Sequence, residues 1–327
     1  MLCLGLEGTA HTSAVGIVDD SGRILADERD MYRPANGGIH PREAANHHVD
    51  FFPDIIERAV NRAGIDYDDI DLIAFSIGPG LGPCLRSTAT AARSLAISLR
   101  RPILGVNHCV AHMEIGRLLT DAEDPLMLYV SGGNTQVAGY HSRRYRIYGE
   151  TIDVGIGNML DKFGIAAGLG FYAGPEIERL AGMGRELLSL PYSVKGMDVA
   201  FSGILTAAKQ HLSRGRRIED ICFSLQETAF SMVSEVAERA MAHTEKCEIL
   251  TAGGVARNRR LFGMLSEMAK CNGWRAFEPP SHLLADNGVM IAWNGILAHG
   301  AGGSMKIDET EINQRYRTDM VDITWRE

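Results

Sequence analysis

Cysteine is scarce and scattered: Cys3, Cys84, Cys109, Cys222, Cys247 and Cys271 stand far apart, with no CxxC spacing among them. That pattern offers neither a zinc ribbon nor a disulfide framework, and the thiols read as reduced, mostly core residues. No apolar run reaches the ~18 residues of a membrane span. Met1 to Ala10 has neither a basic n-region nor a long apolar stretch, so a cytoplasmic protein with no membrane partner is expected. An excess of positive charge is missing as well: 33 Lys and Arg face 41 Asp and Glu, a net charge of −8. A self-sufficient nucleic-acid binder usually carries a global basic footprint. Any nucleic-acid partner of this chain is therefore expected to be held by a local patch or by another subunit. What is present is ordinary core material, 45% apolar residues in a chain of 327, enough for about two domains of roughly 150 residues.

The stretch Asn107 to Gly116, NHCVAHMEIG, places His108 and His112 four residues apart in a helical pattern. Residues at that spacing share one helical face, so both imidazoles can point at one metal ion. Two histidines do not complete a site, and at least one further ligand has to come from elsewhere in the chain. Spacing alone leaves open that these are two unrelated histidines of a capped helix. Cys109 follows His108, so the glutamate of an HExxH metalloprotease is absent, and Glu114 is wrongly placed to replace it.

Along the chain, Leu2, Leu4 and Leu6 lead into a turn, Gly5 to Thr12, rich in glycine and hydroxyls; Val15, Ile17, Ile24 and Leu25 continue as strands. This is a three-stranded meander whose first turn can offer backbone N–H groups to a phosphate, or can be a plain hairpin. Arg33 to His48 holds His40, His47 and His48 with paired glycines and reads as a ligand-facing loop. From Pro41 onward the pattern turns helical, with Ala45, Val49, Phe52, Ile56 and Val60 on one face and an irregularity at Pro53. A strand over Asp71 to Ser76, a Gly-Pro turn at Gly78 to Pro83 and a helix over Leu85 to Leu99 follow, then a short strand over Pro102 to Val106. At Leu126 the architecture starts again. Leu126 to Val130 is a strand, Ser131 to Thr135 a glycine and hydroxyl turn, Gln136 to Tyr140 the return strand and Arg144 to Tyr148 a third. This repeat predicts an α/β fold of two related domains facing each other across a cleft, 1–124 and 125–327, each presenting a turn to one nucleotide. Further on, Asp161 lies in a helical pattern and Gly170 to Pro175 leads into a helix with Glu178. Leu225, Ala229, Met232, Val236 and Ala240 form one stripe of an amphipathic helix. Cys247 to Ala252 is a strand entering the Gly253 to Asn258 loop, a further place for an adenosine or its phosphates. Asp286 opens the last helix as an N-cap or as the missing carboxylate ligand.

The runs GLEGTAHT, GGIHPREAANHH, GPGLGPCLR, NHCVAHMEIG, YVSGGNTQV, GGVARN and DNGVMIAW, with QRYRTD and ITWR, resemble the universal tRNA threonylcarbamoyladenosine transferase family, formerly called O-sialoglycoprotein endopeptidases. The match runs from Leu4 to Arg326, and its IHPREAANHH and QRYRTD forms are similar to the archaeal and eukaryotic branch, which works within the KEOPS complex. The resemblance implies a duplicated fold of the actin, Hsp70 and sugar-kinase type. It also implies one divalent metal, iron or else zinc, on His108, His112, Tyr129 and Asp286. The adenylate part of the substrate would lie on Tyr129, Val130, Ser131, Gly132, Gly133, Asn134, Asp161, Gly174, Glu178 and Asn258. Expected partners are tRNA, threonylcarbamoyl-AMP, a small dimerising subunit, a separate kinase and a kinase-binding subunit. Glu7 stands where actin-like proteins carry a phosphate-site aspartate, which weighs against simple ATP hydrolysis.

The acceptor implied by the family is the exocyclic amine of the adenosine 3′ of the anticodon, a poor nucleophile that must lose one proton. Glu7, His11 and His40 are the candidate bases. An ATP-dependent small-molecule kinase suits the fold but not the metal pair. A non-catalytic nucleotide-binding scaffold predicts that His108→Ala leaves the modification intact.

Overall fold

A computed structural model describes residues 1–34 and 37–326; Ala35 and Asn36, in the Arg33 to His48 stretch, and Glu327 lie outside the described residues. The first meander is β1 (Leu2–Glu7), β2 (Thr12–Asp19) and β3 (Ile24–Met31), followed by α1 (Pro41–Ala63), β4 (Leu72–Gly78), α2 (Gly82–Leu99), β5 (Ile103–Asn107) and α3 (His108–Leu118). The second half repeats it with β6 (Leu126–Val130), β7 (Thr135–His141) and β8 (Arg144–Glu150), then α4 (Ile156–Ala166) and α5 (Gly174–Ala181). A small ribbon of β9 (Val194–Lys195) and β10 (Asp198–Val199) precedes α6 (Ser202–Ser213) and α7 (Ile218–Thr244). The chain closes through β11 (Glu248–Ala252), α8 (Arg259–Cys271), β12 (Arg275–Phe277), α9 (Ser281–Leu284) and α10 (Gly288–Gly300).

The sheet orders are β3-β2-β1-β4-β5 and β8-β7-β6-β11-β12. In each sheet an antiparallel meander is extended by two parallel strands, with β1 pairing β4 and β6 pairing β11 in parallel. The central strands read as nearly continuous apolar runs because helices cover both faces. In the second half α7 supplies the covering layer, and its stripe Leu225, Ala229, Met232, Val236 and Ala240 is wholly buried.

Two details of α1 depart from the sequence expectation. The buried face is Ala45, His48, Phe52, Ile55 and Ala59, while Val49 is exposed and Ile56 only half-buried. The true stripe admits a histidine, which apolar periodicity cannot see. Pro53 sits on the exposed side, and the helix runs through it without a break.

The late part of the chain returns to the first sheet. Helix α10 lies across β1, β2 and β4 at backbone distance, because the crossing is made of glycine. A Cβ on Gly5 would stand 2.2 Å from Ala292 N, one on Gly16 2.2 Å from Val289 N, and one on Gly288 2.0 Å from Gly16 N. The following segment straps the halves together. Asn313 N donates to Ile77 O (2.8 Å), Asn107 Nδ2 to Tyr316 O (3.0 Å), Thr318 Oγ1 to Gln136 Oε1 (3.2 Å) and Ile323 N to Arg143 O (2.8 Å). Among the described residues no helix is long and apolar enough to cross a membrane.

Candidate metal and nucleotide site

Strand β5 runs directly into α3, and Asn107 caps the helix by accepting from Cys109 N (2.9 Å) and Val110 N (3.1 Å). A side-chain acceptor at this position satisfies the orphan donors of the first turn. Residues 108–116 of α3 are all buried, so the helix is core and its two imidazoles point into an interior junction, away from solvent. The rings of His108 and His112 stand 4.7 Å apart, centre to centre, at 87°.

The third group arrives from the far end of the sequence. Asn287 caps α10, its Oδ1 accepting from Met290 N (2.8 Å) and its Nδ2 donating to Leu283 O (3.1 Å) and Ala285 O (2.8 Å). Asp286 is therefore not the N-cap, and its carboxylate is free to face the histidines. Its Oδ1 lies 3.3 Å from His112 Nε2 and 3.5 Å from His108 Nε2. One ligand atom from each of the three residues lies within 4.8 Å of the others. The Tyr129 ring, buried, is tilted over His112 at 5.3 Å.

The electrostatics favour a cation at this point. Burial alone would raise the Asp286 carboxyl, but the hydrogen bond from His112 and the charge of His108 hold it well below the usual carboxylate range. Burial likewise opposes charge on His108, yet Glu7 and Asp286 outweigh it and push that imidazole up to about 9, whereas burial pulls His112 down. Two carboxylates, Glu7 and Asp286, thus stabilise one positive charge among buried imidazoles, and a divalent ion can displace that proton. Two imidazoles and one carboxylate suit iron or zinc, with positions left open.

Beside this cluster stands the turn between β6 and β7. Ser131 and Asn134 close it, with Ser131 N donating to Asn134 O (2.8 Å). Gly132 and Gly133 are exposed, and a Cβ on Gly133 would meet nothing within 4 Å. The start of α4 is fastened beneath, Gly157 N donating to Ser131 O and Asn158 N to Gly132 O. Asp161 of α4 accepts from Ala173 N (2.8 Å) and so holds the loop ahead of α5, while Glu178 of α5 accepts from Arg259 N (2.9 Å) at the start of α8. Opposite, the His11 ring faces Phe171 at 5.9 Å and Tyr172 at 6.2 Å.

A family model described as TsaD, tRNA N6-adenosine threonylcarbamoyltransferase, matches residues 23–293. The chain belongs to this family. It is 55% identical over 325 residues to a probable bifunctional tRNA threonylcarbamoyladenosine biosynthesis protein of Methanocaldococcus jannaschii, covering 99% of this chain and 60% of that one. It is 51% identical over 326 residues to the tRNA N6-adenosine threonylcarbamoyltransferase of Thermococcus kodakarensis, covering 99% and 100%. The chain thus spans about 60% of the length of several curated relatives it matches. Among solved structures, HypF from T. kodakarensis aligns with a TM-score of 0.63 at 16% identity, over 91% of this chain and 48% of that one. Component A of the Acidaminococcus fermentans (R)-2-hydroxyglutaryl-CoA dehydratase aligns with 0.58 at 14%, over 90% and 98%. These two likenesses concern fold alone, and the fold is the duplicated actin, Hsp70 and sugar-kinase type expected from the sequence.

Several residues singled out in the TsaD-like sequence have different surroundings from those expected. Val130 has its side chain in the second core, so only its backbone faces the turn. Asn258 caps α8, accepting from Arg260 N (2.9 Å) and Leu261 N (3.3 Å) and donating to Gln226 (3.0 Å), which commits most of its side chain. His47 and His48 are on helix α1 and not on a loop. His47 contacts Asp30 (2.8 Å), and His48 lies 2.9 Å from Ser13 Oγ. Neither joins the metal-capable group. His40 is exposed ahead of α1, outside that group. Glu7 is fully buried with both oxygens engaged, by His108 and by Thr9, and so is not free to take a proton from a substrate. Sequence reasoning missed Phe171 and Tyr172. Their signal was two adjacent aromatics in a glycine-rich loop, a place where burial gives no reason for them.

Proposed function

We propose that this protein transfers the threonylcarbamoyl group from threonylcarbamoyl-AMP to N6 of the adenosine 3′ of the anticodon, in tRNAs reading ANN codons. The reading rests on the family's printed activity together with one geometric observation. His108, His112 and Asp286, separated by up to 178 residues of chain, aim three ligand atoms at one buried point beside an open glycine turn. With Tyr129 they would hold one divalent ion, iron or zinc. Such an ion, when bound, supplies Lewis-acid stabilisation of developing oxygen charge.

The residues of the chain do the rest. Ser131 and Asn134 spend their own N–H groups closing the turn, which leaves the backbone donors of Gly132 and Gly133 to face the adenylate phosphate, as turns of this kind do, while Asp161, Gly174, Glu178 and the Asn258 end of α8 border the adenosine. The donor is a mixed carbamic-phosphoric anhydride. A bond forms between N6 and the carbamoyl carbon, the bond from that carbon to the phosphate oxygen breaks, AMP leaves, and the amine gives up one proton. We assign the proton acceptor to His11, whose Nδ1 is buried without a partner and whose ring faces the cleft. Positioning of the two reactants contributes ~7 kcal/mol or more where the geometry is good. Recognition of a splayed anticodon-loop base suits RNA binding generally. With a net charge of −8, the phosphates would be gripped partly by the small dimerising subunit, the companion kinase and the kinase-binding subunit of a KEOPS assembly.

The test is reconstitution with those subunits, a donor-generating enzyme, threonine, bicarbonate, ATP and tRNA. His112→Ala and Asp286→Ala are expected to lower label incorporation by about 100-fold or more, the several kcal/mol a Lewis acid supplies, with assembly intact. Incorporation at the wild-type rate in both variants would reduce the chain to a scaffold.

A further inference from the structure

Among the described residues Glu7 and Glu114 are fully buried carboxylates that the proposed chemistry leaves without a task; Glu114 is paired with Arg117 (2.8 Å), whereas Glu7 is not paired with a Lys or Arg. Glu7 ends β1, and its Oε2 lies 3.0 Å from His108 Nδ1. Its Oε1 accepts from Thr9 N (2.8 Å) and Thr9 Oγ1 (2.6 Å). The turn beyond it is pinned: Gly8 N donates to Ser76 Oγ (3.2 Å) and Thr88 Oγ1 donates to Gly8 O (3.1 Å). A Cβ on Gly8 would stand 2.2 Å from Thr88 Oγ1, so the turn has no slack. No Lys or Arg is bonded to this carboxylate among the described residues. A buried charge held only by an imidazole and a threonine is costly unless that geometry serves a purpose.

We propose that Glu7 is a positioning residue for the ion-binding face, accepting the Nδ1 proton of His108 in a hydrogen bond and so aiming Nε2 at the point shared with His112 and Asp286. With Nδ1 carrying the hydrogen, the Nε2 lone pair is the one presented, and the carboxylate behind the ring makes it a stronger donor. The opposite tautomer would turn an N–H toward the ion. Thr9 holds the second oxygen and keeps the carboxylate from rotating away. This inference rests on the ion reading above, and the same measurement separates the two.

The full chain, stripped with chelator, is titrated with Co2+ and followed by its visible d–d absorption, then by competition with Zn2+. Unfolding in excess chelator serves as the fold control. Glu7→Gln keeps the shape and removes the charge. It is expected to weaken Co2+ binding by about 10- to 100-fold, the usual cost of losing such a partner, and to shift the absorption bands, while the metal-free variant still unfolds in one cooperative transition. Thr9→Val keeps the carboxylate and removes the hydroxyl that holds it, so a smaller loss of affinity with the same spectral shift is expected. If His112→Ala binds Co2+ like wild type, the ion site itself is wrong. If His112→Ala loses the ion while Glu7→Gln keeps wild-type affinity and spectrum, the role given to Glu7 is overturned and the site stands. Should Glu7→Gln fail to fold, Thr9→Val decides, with wild-type affinity and spectrum counting against the proposal.

Discussion

The turn after β1 and the turn after β6 occupy the same place in two copies of one sheet, and they have gone opposite ways. In the first, Glu7 and Thr9 are buried, every polar atom of the carboxylate is engaged, and Gly8 has no room for a side chain. In the second, Gly132 and Gly133 are exposed, with open space beside Gly133. A duplicated α/β fold supplies two backbone turns at one cleft. Filling one of them with its own side chains makes it a support, and leaving the other bare keeps it available to a ligand. The difference is one of side-chain volume and burial, not of topology.

The support half is broken most severely at its glycine crossing. Gly16→Val puts a branched side chain where a backbone nitrogen of α10 lies, and neither strand nor helix can give locally. A loss of ~3 kcal/mol or more is expected, the upper range of overpacking, read from the denaturant midpoint. Loss of the proposed ion site in whatever folds would follow, because Asp286 lies just ahead of the Asn287 cap of α10.

Next comes the acid limb of stability. Burial, with the neighbouring charge of His47, depresses His48 to about 4, against the opposing pull of Glu7. A histidine that is harder to protonate when folded contributes stability that is fully present above its unfolded value near 6.5 and is lost as pH falls toward 4. The expected loss is on the order of 2–3 kcal/mol between those values, and His48→Gln should flatten that limb in pH-dependent unfolding curves. An unchanged limb would mean that the first half is not organised around a neutral His48.

A smaller effect is expected at the hydroxyl that holds Glu7. Thr9→Val leaves a buried carboxylate oxygen with one donor instead of two, which costs about 1–2 kcal/mol in metal-free unfolding.

The open turn should behave in reverse. Gly133→Ala adds a methyl to empty space and is expected to change stability by less than ~0.5 kcal/mol. It would nonetheless raise KM for the proposed adenylate donor about tenfold, equivalent to ~1.4 kcal/mol of lost contact. A stability loss without a change in KM would erase the contrast between the two turns.

Much of this was legible before any coordinates. Apolar runs of period two, broken by glycine and hydroxyl clusters, gave both meanders, and their recurrence at Leu126 gave the duplication, because a strand's period and a turn's residue types are local properties of the chain. His108 and His112 were visible for the same reason, since four residues make one helical turn anywhere. The residue pattern left Asp286 as either cap or ligand, and the family resemblance pointed to ligand; tertiary structure released it from the cap, because Asn287 took that place and three glycines let α10 lie on β1 and β2. It also decided the fates of Glu7, buried against a histidine 101 residues away, and of Val49, left in solvent while His48 took its place inside. Local pattern fixes which elements form, whereas the surroundings of a polar side chain depend on distant backbone approaching closely enough to bury it, and no window of sequence contains that distance.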